Sequence, residues 1–240
     1  MFKLRKNRMR TALAGFVLGL LFLGAGMTGL PGASCRAAQG EDTDIAFRWA
    51  FGVLSGSGNE RKLEPVTRDT TLQTGDQLKM MVELERPCFV YVIYHNAQDG
   101  LKLLFPYSVG QFESDYRVSR KYYIPQGDAW LELDNRPGQE TFYLIASARR
   151  LDGLDDLLRA YESADASRKA DIVRDILAEI RNLRKQHREF VALPERPVAI
   201  GGSVRGLEKH SGAGRPDVAS IAEEVQSSGF VARAFTIEHQ

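Results

Sequence analysis

From Ile45 onward apolar side chains occupy every second position: Ile45, Phe47, Trp49, Phe51 and Val53 alternate with Ala46, Arg48, Ala50 and Gly52. A period of two predicts a half-buried strand, and Ser55-Gly56-Ser57-Gly58-Asn59 closes it as a turn. A second strand is predicted near Leu63 to Arg68. Thr74-Gly75-Asp76 punctuates the chain before Gln77 to Leu84, where Leu78, Met80, Val82 and Leu84 alternate with more polar residues. The next run, Phe89 to Tyr94, is apolar nearly throughout, which predicts a central strand covered on both faces. Asn96-Ala97-Gln98-Asp99-Gly100 then carries an Asp-Gly turn signal into Leu101 to Phe105, a hairpin. Tyr107 to Lys121 is polar and without period. Three short strands follow at Tyr122 to Ile124, Ala129 to Leu133 and Thr141 to Ala146, the last reached through Asn135-Arg136-Pro137-Gly138. Short strands at this spacing imply an antiparallel sandwich or barrel rather than parallel βαβ units.

The period then lengthens. Leu154, Leu157, Leu158 and Tyr161 recur at three and four after Asp152, which is placed as an N-cap. Ile172, Val173, Ile176, Leu177, Ile180, Leu183, Phe190 and Val191 continue the spacing until Pro194 ends it. The polar face alternates in sign, the pattern of a solvated face with intrahelical pairs; a basic binding strip over Arg181 to Arg188 is the sharper alternative. Pro194 to Pro216 reads as loop, Ile221 to Val225 as a short turn of helix, and Phe230, Ala232, Ala234 and Thr236 as one face of a closing strand. The expected fold class is therefore α+β: mainly β, antiparallel and sandwich-like, with an inserted helical hairpin. The expected division is a leader over 1–34, a β-rich domain over 41–150, helix over 151–193, loop over 194–220, and a returning helix and strand over 221–240.

Charge is distributed unevenly along the chain. The whole chain has 32 Lys and Arg against 31 Asp and Glu, but five of the basic residues (Lys3, Arg5, Lys6, Arg8, Arg10) precede an apolar run from Thr11 to Leu30 that has no acid. Taking those five from the 32 leaves 27 basic residues against 31 acidic ones, a body of formal charge −4. That mildly acidic body argues against nucleic acid as a partner. The leader, ending in Leu30-Pro31-Gly32-Ala33-Ser34, reads as a bacterial-type export signal. Three readings of it stay open: a cleaved signal, a lipoprotein signal with Cys35 as the lipidated residue, and an uncleaved anchor. Gly32 stands where a lipoprotein signal usually has leucine. All three place the body outside the cytoplasm, with membrane contact only through the N-terminal segment or a lipid on Cys35.

Candidate chemistry is sparse. With only Cys35 and Cys88, a disulfide framework is excluded, and Cys88 in its apolar run reads as a small buried hydrophobe. His95, His187, His210 and His239 are isolated singles, so neither metal nor cofactor is expected. His187 reads as solvated, His95 as a rim residue and His239 as frayed. Gly201-Gly202-Ser203-Val204-Arg205 fails as a nucleophile elbow at Arg205, Gly56-x-Gly58-x-x-Arg61 lacks the third glycine of a dinucleotide fingerprint, and Gly212-Ala213-Gly214 has no P-loop continuation.

The ordered series of short motifs says more than any one of them. Leu72-Gln73-Thr74-Gly75-Asp76-Gln77-Leu78 is followed by Phe89-Val90-Tyr91-Val92, Asp99-Gly100, Leu103-Leu104-Phe105-Pro106, Tyr123-Ile124-Pro125, Pro137-Gly138-Gln139-Glu140-Thr141 and Leu144-Ile145-Ala146-Ser147. The succession resembles the bacterial domain-of-unknown-function family DUF4384 over Thr70 to Leu154. The resemblance implies a β-rich extracytoplasmic module, of a kind found alone behind export or lipoprotein signals or appended to kinase-like and caspase-like domains. It carries no catalytic residues to transfer.

The leading expectation is an exported, non-enzymatic envelope module that binds a ligand or protein, senses or assembles. Its expected partner is an envelope protein or ligand of unknown identity. Its candidate binding surface is the aromatic set Phe105, Tyr107, Tyr116, Tyr122 and Tyr123, since aromatics anchor interfaces. One alternative is a hydrolase-like enzyme built from Ser203, His210 and Asp217. The other is a membrane-tethered scaffold whose helix, Ala170 to Val191, docks on a partner.

Overall fold

The computed structural model describes residues 44–56, 61–98, 100–190 and 215–240. The leader, Cys35, Asp99, Ser203, His210 and the glycines from Gly201 to Gly214 lie outside them. The alternation that begins at Ile45 becomes β1 (Asp44–Ser55), and the strands after it are β2 (Lys62–Pro65), β3 (Asp69–Leu72), β4 (Gln77–Leu84), β5 (Phe89–Asn96), β6 (Gly100–Phe105), β7 (Lys121–Ile124), β8 (Leu131–Glu132) and β9 (Gly138–Ser147). Two helices, α1 (Asp152–Ser163) and α2 (Ala166–Phe190), precede the closing strands β10 (Glu223–Ser228) and β11 (Phe230–His239). The fold is mainly β within an α+β class.

The strands form two sheets. In the first, β1 and β4 pair antiparallel through the middle; β10 and β2 flank β1, and β7 and β8 flank β4. The second has the order β3-β11-β9-β5-β6 and is antiparallel apart from β3, which runs parallel to β11. The strand predicted near Leu63 to Arg68 is β2, which ends at Pro65, while β3, from Asp69, joins the other sheet. Alternation sorts the side chains: Ile45, Phe47, Trp49, Phe51 and Val53 of β1 join Val90 and Val92 of β5, Phe142 and Leu144 of β9 and Phe235 and Ile237 of β11 in one buried cluster. Aromatic rings bridge the sheets there, with Phe51 5.0 Å from Phe142 and 5.4 Å from Phe235 between centroids.

The intervening residues of the second sheet, Tyr91, Ile93 and Ile145, face the helices and pack with Leu154, Leu158, Ile172, Ile176, Ile180 and Leu183. β5 is therefore covered on both faces, which is why its sequence is apolar without alternation. The same packing corrects the scaffold reading, because the apolar stripe of α2 is buried against its own sheet. β6 needs one more device. A register irregularity opposite Val92 and Ile93 lets Leu101 and Leu103 face the helices while Phe105 turns into the inter-sheet cluster, as a bulge re-aims the residues after it.

Three expectations are corrected. Residue Asp152 is the first residue of α1 and Leu151 holds the N-cap position without a side-chain bond, so Asp152 and Asp155 act in the first turn, where the helix dipole favours acids. Ile221 to Val225 is not a turn of helix. A 3-10 turn spans Val218–Ile221, capped by the Asp217 carboxylate on the Ala219 N–H, and Glu223 opens β10; Gly229, at φ 82°, then reverses the chain into β11 in the other sheet. Finally, β1 is buried on both faces rather than one. Ala50 and Met81 pack with Val218 on the face away from the inter-sheet cluster, and Gly52 lets the turn approach.

A Cβ on Gly52 would lie 2.7 Å from Leu63 Cδ1, 2.9 Å from Ile221 Cδ1 and 3.0 Å from Val218 Cγ2. Those methyls must shift, so Gly52→Ala is expected to cost about 1–3 kcal/mol, the range for overpacking a filled site. Thermal unfolding measures it, and a neutral result would mean that the 218–221 turn does not seat on β1.

Candidate functional site

The aromatic set divides by burial. Phe105 and Tyr122 are buried in the inter-sheet cluster, so the structure removes both from the candidate surface; Tyr107, Tyr116 and Tyr123 are half-buried. Phe105 lies 5.5 Å from Tyr107, 5.9 Å from Tyr116 and 5.2 Å from Tyr122, and Tyr116 also meets Phe112 at 4.8 Å. Their hydroxyls are also spent on the chain. The Tyr116 oxygen accepts from the Val90 N–H at 2.9 Å, and Tyr107 donates to the Tyr123 carbonyl at 2.7 Å. Tyr122 accepts from the Arg117 N–H and donates to the Asp115 carbonyl. Burial pushes the Tyr107 phenol up to about 12, so it stays protonated as a donor. The set knits residues 105–123 to the core.

The sequence reading missed three constellations of polar groups. The first lies where β5 and β11 end and β9 begins, on the side of the second sheet that carries the inter-sheet cluster. Glu140, buried, accepts from the Tyr94 hydroxyl and from the Asn96 amide at 2.9 Å. His239, read from sequence as frayed, is instead buried in β11, because β9 and β3 pair with it on either side. Its Nε2 is 3.1 Å from Thr74 Oγ1 and its Nδ1 is 4.0 Å from Glu140. Hydroxyl, imidazole and carboxylate in that order suggest a nucleophile relay. The bonding opposes it, since the Thr74 hydroxyl donates to the Asp134 carbonyl at 2.9 Å. The N–H groups of Thr74, Gly75 and Asp76, which would have to stabilise an oxyanion, donate to Gln240, Leu133 and Gln73.

The second constellation surrounds Lys79 on the outer face of the first sheet. Lys79 is buried, and its Nζ donates to the carbonyls of Gly127 at 2.5 Å and Ala129 at 2.7 Å beneath the rings of Tyr123 and Trp130. Burial pulls the ammonium below its ordinary range, against the pull of the nearby Asp128 carboxylate. Tyr123 donates to Asp217 at 3.2 Å, tying β7 to the capped turn. The third joins α1 to the second sheet. Asp155, 2% exposed, accepts from the Tyr91 hydroxyl at 2.9 Å and from Arg150 Nε at 2.5 Å, while Arg150 Nη1 donates to Glu113 at 2.6 Å.

Of the proposed hydrolytic triad only Asp217 lies within the described residues, and there it caps a turn. His187 is not simply solvated; it stacks on Phe230 at 3.8 Å, and its Nδ1 is 2.8 Å from the Leu183 carbonyl. Burial draws the His95 imidazole below its ordinary value. Among the described residues no group of three or more His, Cys, Asp or Glu is placed to hold a metal ion. Cys88 is buried and free, and desolvation pushes its thiol up to about 12. Labelling by a maleimide, read on the peptide that contains Cys88, is therefore expected to proceed only at the rate of unfolding. Labelling of the native chain within seconds would contradict the burial.

No curated protein and no solved structure matches this chain. Residues 71–150, a third of its length and the strands from the end of β3 to β9, match the model of the family described as Domain of unknown function (DUF4384).

Proposed function

We propose that this chain is an exported, non-enzymatic module of the bacterial cell envelope that works by binding a protein or ligand, and that its two sheets pack as a sandwich-like pair. The observation that carries this reading is how the converging polar groups are spent. Lys79 serves two loop carbonyls, Asp155 serves Tyr91 and Arg150, and Thr74 serves Asp134. A catalytic group must keep a proton or a lone pair free for substrate, whereas these are committed to holding loops and a helix on the sheets. The cationic, apolar leader ahead of an acidic body supports the address.

Site-specific photocrosslinking in growing cells tests the binding role. A crosslinker at exposed Lys121, on the edge strand beside Tyr123, is expected to give a discrete adduct in the envelope fraction that re-forms from purified components. A chain that yields no adduct from any exposed position, yet turns over a model ester or glycoside, would contradict the reading.

A further inference from the structure

Most polar side chains near the core are committed to the chain, but one group of them is not. Of the eight tyrosines, Tyr143 alone has a hydroxyl without a hydrogen bond among the described residues. The hydroxyls of Thr141 and Thr236 and the guanidiniums of Arg181 and Arg184 likewise make no hydrogen bond or ion pair among them. Strand register brings the hydroxyls together. Thr141 and Tyr143 lie on the helix-facing side of β9, paired with Thr236 and Ala234 of β11, and beyond Thr236 the edge strand β3 offers Asp69. The helices bury Tyr91, Ile93 and Ile145 on this side, but α2 crosses obliquely from β6 to the start of β11, where His187 stacks on Phe230 at 3.8 Å. That course leaves Thr141, Tyr143, Ala234 and Thr236 as a half-buried corner beside the helix. The wall of the corner is a flank of α2. Glu179 turns toward α1, its Oε1 3.5 Å from where a Cβ on Gly153 would lie. Arg181 and Arg184, one and four residues after the buried Ile180, fall on the opposite flank. Burial raises the Tyr143 phenol, and the Arg184 and Arg181 charges beside it pull the other way. The hydroxyl stays protonated and free to donate.

We propose that this corner binds a small anionic sugar, with its phosphate or carboxylate between Arg181 and Arg184 and its hydroxyls on Thr141, Tyr143 and Thr236. The planar fork of a guanidinium matches two oxygens of either acid group. Serine-like and phenolic hydroxyls both donate and accept, as the hydroxyls of a sugar do. Ala234, with nothing beyond its Cβ, keeps the floor low beside the Tyr143 ring, so that a sugar ring has a flat place to lie. Asp69 at the far edge repels the acid group and so fixes its direction, toward the helix wall. The inference rests on the reading of this chain as a binding module and gives that module a site and a class of ligand. The corner belongs to the second sheet, whereas Lys121, the crosslinking position, belongs to the first.

Titration calorimetry of the full chain with glucose 6-phosphate and with glucuronate is the test, and glucose and inorganic phosphate are the controls that each lack half of the ligand. At least one acidic sugar is expected to bind about tenfold more tightly than either control, and which of the two does so tells phosphate from carboxylate. Arg184→Ala is expected to weaken that binding about tenfold or more, as for a hydrogen bond to a charged group, and Tyr143→Phe about fivefold, as for a neutral one. Both side chains are partly open to solvent, so the unfolding midpoints of the variants are expected to stay near that of the parent. Three results overturn the proposal: neither acidic sugar binds, a control binds as tightly as they do, or the affinity ignores both substitutions. The Lys121 adduct separates this failure from that of the module reading, because an adduct that still forms sinks the corner and leaves the module.

Discussion

Replacing Phe51 by alanine is expected to lower the unfolding free energy by about 3–5 kcal/mol, the usual cost of truncating a buried phenylalanine. Phe51 is 3% exposed and touches rings from both sheets: Trp49 on its own strand, Phe142 on β9 and Phe235 on β11. The loss falls on the contacts that hold the sheets together, and neighbours locked in two sheets cannot collapse easily into the void. For a domain with the usual 5–15 kcal/mol in hand, this is a large fraction of the total. Fluorescence and circular dichroism through a urea transition measure it. The account requires the midpoints reported by the two tryptophans, Trp49 and Trp130, and by the backbone to fall together, because a shared core unfolds as a unit. A loss under about 1 kcal/mol would mean that the ring is not enclosed.

Removing the Asp155 carboxylate with Asp155→Ala is expected to cost a similar amount, about 3–5 kcal/mol, as for a buried ion pair stripped of one partner. Two groups are left wanting. The Tyr91 hydroxyl, in a side chain with no exposure, loses its acceptor, and Arg150 keeps Glu113, which is open to solvent, and a long contact with the Val109 carbonyl. Burial first, and then the Asp155 charge, push the Tyr91 phenol far above its ordinary range, so Tyr91 cannot relieve the loss by ionising. Asp155→Asn separates the contributions, since its amide oxygen still accepts from Tyr91 while the ion pair with Arg150 is gone. Recovery of roughly half the loss is expected, a neutral hydrogen bond being about half as strong as a charge-assisted one. Equal losses for both substitutions would place the whole effect in the charge.

These residues also show how much of the molecule could be read in advance. The strands of the first half were legible because period two and turn residues coincide, and β5 was legible as central because a strand covered on both faces has no polar positions to show. The second covered face of β1 was not. Its outward residues Ala50 and Gly52 are small enough to pass for solvent positions, and what covers them, Val218 and Ile221, is far away in sequence. His239 was misread for a similar reason: its partners are Gly138 on β9 and Leu72 on β3, and nothing local to the end of β11 signals either pairing.

Asp155 could have been found. It stands next to Leu154 and three residues before Leu158, on the buried stripe of α1, so a carboxylate at that phase must meet a partner. Lys79 gave no comparable signal, because an outward lysine between Leu78 and Met80 is ordinary until the loop at Gly127 folds over it. The family match runs from residue 71 to residue 150 and so omits β1 and β11, which hold interior positions in the two sheets. Neither sheet is complete without chain from outside the matched segment.

The central claim is that the folded body works outside the cytoplasm as a binding module, and the mature N-terminus tests it most directly. Intact-mass spectrometry of the chain recovered from fractionated cells is predicted to show a species in the envelope fraction that has lost residues 1–34 and begins near Cys35, with or without the added mass of a lipid. A chain that retains Met1 and fractionates with the cytoplasm would contradict it.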